Sequence, residues 1–114
     1  MGLDSYIEYH DKDEPEKTTE VIYYRKFNNL HGWMANLYAS EGNTEEFNCE
    51  RLYLDREDLI KLSDDACTLE PSQGFFFGSQ ETMTEEKVQG LKKVIKECIQ
   101  LIEQGKEVYY YAWY

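Results

Sequence analysis

The sequence predicts an α+β fold: a small mixed or mostly antiparallel sheet of about four strands with three helices, in the order β-α-β-α-β-α-β. Stretches with apolar residues at helical spacing alternate along the chain with stretches in which apolar and polar residues alternate. Regular alternation of strands and helices suggests a parallel sheet, but strands buried on both faces are continuously apolar, and these are not. At 114 residues we expect a single domain, 1–114.

Four segments have strand character. Residues 3–10 place Leu3 and Ile7 on one side and Glu8 and His10 on the other, and residues 47–54 place Cys49 opposite Leu52. The aromatic run 75–77, which lies between two glycines, predicts a third strand. Residues 107–113 predict the last strand.

Three segments have helical spacing. The first predicted helix covers residues 18–39 and begins at a threonine cap. The second begins after the cap Asp55 and ends before 70–74, and the third runs from Thr82 or Thr84 to the stop Gly105. The second helix has a predicted buried stripe of Leu59, Leu62, Ala66 and Leu69.

The first predicted helix carries a row of polar side chains beside its apolar stripe. At about 100° per residue, Tyr24, Asn28 and His31 project to one flank of the stripe, and Arg25 lies just beyond them. A helix that needs only a core face gains nothing from such a row. The pattern therefore predicts a binding site at this edge of the helix.

An enzyme would use His31 as a general base, with Tyr24, Asn28 or Arg25 stabilising a developing negative charge. The chain has only two histidines, and Cys49 lies near Glu46 and Glu50, which disfavour a thiolate partner for His31. A histidine bonded to a backbone carbonyl explains the same residue without catalysis. We therefore expect no catalytic residues, no cofactor and, since no ligand spacing is present, no metal.

Aromatic residues supply the other candidate binding positions. Ten tyrosines are many for this length, and a tyrosine suits a half-buried surface as well as a binding face. One face of the last predicted strand is aromatic, and either packs on the first helix or stays open for a partner, a planar ligand or a second copy of the chain. The candidate binding residues are Tyr24, Arg25, Asn28, His31, Gln73, Phe75, Phe76, Tyr109, Tyr111 and Trp113.

The net charge of −11 argues against a nucleic-acid binder that works by neutralising phosphates, so we expect no direct contact with nucleic acid. It favours a basic partner surface, although acids in loops and helix starts also serve solubility. No apolar run approaches 18 residues, and we expect no membrane contact. Three cysteines without close pairs indicate a reducing compartment and buried thiols.

Several segments of the chain form a distinctive combination. They are the opening residues 1–6, the segment from Gly74 to Ser79, the aromatic tail 109–113, and Tyr23, Tyr24, Arg25, Lys26, Asn28, Leu30, His31 and Trp33. Together they resemble a family of small proteins from tailed bacteriophages and prophages, although Tyr24 stands where relatives often have tryptophan. The resemblance implies a phage or mobile-element origin and a place in the cytoplasm of the bacterial host, and it implies no particular activity.

Two functions fit these features. In the first, a non-catalytic phage accessory protein binds a host protein with a basic, nucleic-acid-binding surface, such as a component of a defence system. In the second, Tyr24, Arg25, Asn28 and His31 line a site for a nucleotide-like small molecule, because arginine and stacked aromatics suit a phosphate and a base. Homodimerisation through the aromatic strand face is a further expectation.

Overall fold

A computed structural model describes residues 3–69 and 83–114, in which four antiparallel strands form one sheet. The strands pair in the order β2-β1-β4-β3, so β2 and β3 are the two edges. The predicted α+β class, with helices packed on a four-stranded sheet, is confirmed. The strands are β1 (Asp4–Asp11), β2 (Thr19–Arg25), β3 (Arg51–Leu54) and β4 (Lys106–Trp113).

Three helices cover one side of this sheet, and their ends follow the capping residues. The N-cap Asp55 and Asp58 form a capping box, and Thr84 accepts a hydrogen bond from the backbone N–H of Lys87. The helices are α1 (Asn28–Ser40), α2 (Arg56–Asp65), which a short 3₁₀ turn (Ala66–Thr68) extends, and α3 (Glu85–Glu103). The four residues of the stripe predicted for the second helix, Leu59, Leu62, Ala66 and Leu69, are all buried.

The first predicted helix, 18–39, is wrong for its first ten residues. Residues 19–25 form β2, which pairs with β1, and α1 begins only at Asn28. Val21 and Ile22 are β-branched and are followed by two tyrosines, and such residues fit a pleated sheet better than a helix. Lys26, at φ 56°, turns the chain between the two elements. The predicted strand 75–77 lies outside the described residues. The described sheet has four strands because β2, predicted as helix, is one of them.

The alternation of β4 divides the sheet into two faces. Ile7 and Leu52 both pair with Tyr110, and all three are buried under the helices. The opposite side of the sheet, which we call the open face, carries Tyr109, Tyr111 and Trp113, as their alternation predicts. The segment predicted as a strand at 47–54 is shorter than expected, because β3 begins only at Arg51.

Replacing two glycines by alanine should change the free energy of unfolding in opposite directions, one glycine inside α3 and one just after its end. Gly90 is an exposed helical residue at which an added Cβ meets nothing within 4 Å, whereas Gly105 has a φ of 89°. We expect Gly90→Ala to raise the free energy of unfolding by about 0.5–1 kcal/mol and Gly105→Ala to lower it by about 1 kcal/mol. Urea denaturation of both variants checks this, and a stabilising Gly105→Ala contradicts it.

Candidate functional site

The structure separates the polar row predicted on the first helix. Tyr24 and Arg25 belong to β2, and Asn28 and His31 belong to α1. The prediction that Tyr24, Asn28 and His31 share one flank of a helix is therefore wrong, because the chain changes from strand to helix between them. Asn28 and His31 lie in the core, at 2% and 0% exposure. Three other candidates, Gln73, Phe75 and Phe76, lie outside the described residues.

His31 is a core residue of α1. A hydrogen bond of 2.9 Å joins its Nδ1 to the hydroxyl of Tyr110, and its ring stacks on Phe47 at 5.4 Å between centroids. Burial lowers the pKa of His31 to about 4, so the ring is neutral at pH 7. A side chain with no exposed surface cannot meet a substrate from solvent, and this position suits packing rather than proton transfer.

The open face is partly covered by the chain itself. Arg51 donates to the carbonyl oxygen of Pro15 at 3.0 Å, and its guanidinium lies 4.4 Å from the centre of the Tyr109 ring. Tyr109 is consequently only 1% exposed, and its hydroxyl donates to Glu8. Burial and this hydrogen bond raise the pKa of Tyr109 to about 12. Of the three aromatic residues predicted for this face, Tyr111 is half-buried and Trp113 is 48% exposed.

Three other aromatic side chains on the open face, those of His10, Tyr53 and Tyr23, form internal hydrogen bonds. His10 Nδ1 must donate to the carbonyl oxygen of Asp11, so its Nε2 accepts from the Tyr53 hydroxyl at 2.8 Å. The Tyr23 hydroxyl donates to Asp4. The rings of Trp113, Tyr23 and Tyr53 remain 48%, 43% and 41% exposed. The open face therefore presents apolar ring surface in fixed positions.

A groove of about 490 Å³ lies at the β3 edge of the sheet and is lined by Glu41, Glu45, Glu50 and Tyr53, among others. We call it the acidic groove. Residues 41–58, which include most of the groove's lining and the start of α2, hold seven carboxylates against two arginines, a net charge of −5. None of these seven takes part in an ion pair within the described residues.

The titration of neighbouring groups reflects this concentration of charge. Burial, followed by the charges of Asp58 and Asp55, raises the pKa of Glu41. Burial, followed by the charges of Glu45 and Glu50, raises the pKa of Tyr38. Since like charges disfavour ionisation, the acidic groove is a region of negative potential that a cationic group would relieve.

A second concavity, of about 800 Å³, lies at the opposite edge of the sheet, between β2 and the first half of α3. We call it the cationic cleft. Tyr24 and Arg25 line it, as the small-molecule hypothesis requires, but Asn28 and His31 do not. Its other lining residues include Lys26, Phe27, Lys87 and Gly90.

The described residues contain no group of three histidine, cysteine, aspartate or glutamate side chains arranged to hold a metal ion. All three cysteines are free thiols, and the expectation that they are buried is wrong for Cys49 and Cys67, which are exposed. Burial raises the pKa of the third, Cys98, to about 12. Among the helices that the structure describes, none has the length and apolar character needed to cross a bilayer.

Comparison with protein-family models, with curated proteins and with solved structures finds no match to this chain. The function is therefore argued from the geometry of the described residues.

Sequence reasoning missed the residues that complete both concavities. The acidic groove has a visible signal, because residues 41–50 hold four glutamates and no lysine or arginine. The cationic cleft has no such signal. Lys26 and Lys87 are far apart in the chain and meet only because α3 packs beside β2.

The burial of His31 has a measurable consequence for stability. The pKa of this histidine is about 4 in the folded protein, whereas an ordinary, solvated histidine has a pKa of 6.5. The unfolded chain therefore binds the proton more tightly than the folded protein does. We expect the stabilising contribution of neutral His31 to be complete above pH 6.5 and to decrease as the pH falls toward 4, by about 3 kcal/mol in total. Carboxylates also gain protons as the pH falls over this range, and they change the free energy of unfolding as well.

A His31→Gln variant separates the two effects, because it keeps the carboxylates and removes the titrating ring. Urea denaturation of both proteins at several pH values between 7 and 4.5 measures the difference. The unfolding free energy of the wild type should fall more steeply than that of the variant. Parallel pH profiles would show that the pKa of His31 is the same in the folded and unfolded protein, which contradicts the prediction.

Proposed function

We propose that this protein is a non-catalytic accessory protein of a phage or mobile element that binds a basic surface of a host macromolecule. The acidic groove is the observation that carries the proposal. A host protein whose basic surface normally holds nucleic acid, such as a nucleic-acid-binding component of a defence system, has the complementary charge. The phage context comes from the sequence resemblance, and the place of action is then the cytoplasm of the bacterial host.

The arrangement of the carboxylates supports a macromolecular partner over a single bound cation. Glu41, Glu45 and Glu50 come from the end of α1, the following loop and the start of β3, so they spread along an edge. A lysine- or arginine-rich surface can meet such a row at several points, and each contact is formed between exposed groups. Tyr53, which is 41% exposed, lines the same groove and adds ring surface to which an arginine side chain can bind.

The electrostatic origin of this binding predicts a strong dependence on salt. We expect the tagged full chain to retain host proteins from a bacterial lysate at about 50 mM salt and to lose them at about 500 mM, because the charges are screened. The triple variant Glu41→Gln, Glu45→Gln and Glu50→Gln should lose the same proteins at low salt. Quantitative mass spectrometry of the retained fraction measures both effects.

A second triple variant serves as the control, because it has the same total charge as the first. Glu16, Glu97 and Glu103 are exposed and lie outside the acidic groove, so their replacement by glutamine removes three charges elsewhere. This variant should retain the wild-type partners. If both triple variants lose them equally, net charge alone explains the retention, and if no protein is retained at low salt the proposal fails.

The open face supports a second contact, between two copies of the chain. Trp113, Tyr23 and Tyr53 expose ring surface on one side of the sheet, and a two-fold axis can bury such a patch against itself. We propose that the protein forms a homodimer through this face. The covering of Tyr109 by residues 12–18 restricts the contact to the remainder of the sheet.

Sedimentation equilibrium measures this dimer. Trp113→Ser removes the largest exposed ring and should raise the dissociation constant about tenfold or more. Ile60→Ser is the control, because Ile60 is 39% exposed on α2, away from the open face. A wild-type protein that stays monomeric at high micromolar concentration contradicts the dimer, and so does an equal effect of the two substitutions.

A further inference from the structure

The cationic cleft reverses the charge of the rest of the molecule. Three of its lining residues, Arg25, Lys26 and Lys87, are cations and one, Glu86, is an acid, whereas the whole chain carries −11. Neither Arg25 nor Lys26 takes part in an ion pair within the described residues. In a chain with about two acids for every base, two adjacent cations that form no ion pair with a described carboxylate are an unusual concentration of positive charge, although Asp4 lies opposite Arg25 in the β1–β2 pairing.

The cleft also has an aromatic wall. The rings of Tyr24 and Phe27 meet edge to face, with centroids 4.9 Å apart and an interplanar angle of 70°. Lys87 Nζ lies 5.9 Å from the centre of the Phe27 ring, which joins the aromatic and cationic parts of the cleft. Burial raises the pKa of Tyr24 to about 12, so this residue adds a neutral ring and no negative charge.

The backbone and the α3 wall leave room beside these groups. Lys26 adopts a left-handed conformation, φ 56°, which lysine rarely takes. On the α3 wall, Gly90 exposes backbone, and a Cβ built there meets nothing within 4 Å. The volume of about 800 Å³ lies within the range of about 300–1,000 Å³ typical of small-molecule sites.

From this combination we propose that the cationic cleft binds a nucleotide-like small molecule, with Arg25 and Lys26 contacting its phosphates and the Tyr24 and Phe27 wall contacting its planar ring. The cations select a compact anion, the aromatic wall selects a ring, and the start of α3 adds the positive end of the helix dipole. This site is separate from the acidic groove, which lies at the other edge of the sheet.

The charge of the whole molecule favours a free nucleotide over a nucleic-acid strand. A strand would extend beyond the cleft and bring its phosphates near a surface dominated by carboxylates. A mononucleotide fits within about 800 Å³ and can place its phosphates at the cations without that repulsion. Size and charge therefore limit the ligand to a small phosphorylated molecule.

Isothermal titration calorimetry of the full chain tests the proposal with three probes: ATP, inorganic tripolyphosphate and adenosine. We expect ATP to bind more tightly than either fragment, and to bind more weakly as salt is raised. The double variant Arg25→Gln and Lys26→Gln should weaken ATP binding about tenfold or more, because it removes both charged contacts to the phosphates. Gly90→Leu should weaken it without a change of charge, because the side chain extends into the cleft.

The control variant, Lys92→Gln and Lys93→Gln, removes two exposed cations of α3 that do not line the cleft, and should leave the affinity for ATP within about twofold. Thermal melting verifies that each variant is folded. Absence of ATP binding to the wild type overturns the proposal, and so does ATP binding that the cleft variants leave unchanged. If tripolyphosphate binds as tightly as ATP, the cleft is a simple anion site and the nucleotide assignment is overturned.

Discussion

The hydroxyl of Tyr110 must find a partner inside an apolar core, and the arrangement of the helical layer depends on how it does so. Tyr110 is on β4, which pairs with β1 on one side and β3 on the other, and it is 0% exposed. Its bond to His31 attaches α1 to the centre of the sheet, and Phe47 stacks near both rings. An unpaired hydroxyl at this position would cost about 1–3 kcal/mol. His31 is therefore explained by the needs of the core.

The sequence predicts the elements in which packing and local signals agree, and fails where they differ. β1, β4, α2 and α3 are found where they are predicted, and the predicted stripe of the second helix is buried, because strict alternation or a capped apolar stripe leaves one solution. At residues 19–25 the helical spacing that begins with Tyr23 and Phe27 competes with the β-forming character of Val21 and Ile22. Pairing with β1 stabilises the strand, and a local sequence pattern does not reveal this long-range contact.

The same long-range pairing determines how much of each candidate site could be predicted. Tyr24 and Arg25 were identified as binding residues from a helical projection that the structure does not contain, yet both line the cationic cleft. They do so through β2, whose partners in the cleft are residues of α3 some sixty positions later in the chain. The acidic groove is different, because most of its carboxylates are close in sequence and its charge is visible in the composition of 41–50. Sequence therefore indicates a site made from one segment better than a site made from two.

The order of the strands separates the two charged sites. β2 and β3 are the sheet edges, with β1 and β4 between them, so the cationic cleft and the acidic groove are held apart by the width of the sheet. At neutral pH the raised pKa values of Glu41 and Asp58 mean that their ionised forms oppose folding, since a carboxyl group with a raised pKa is stabilised by protonation. Burial makes the largest contribution to both shifts, and neighbouring carboxylates add to it. A cationic partner surface would relieve the repulsive part. The core, held together at Tyr110, has to offset this repulsion, which the proposed basic partner would reduce.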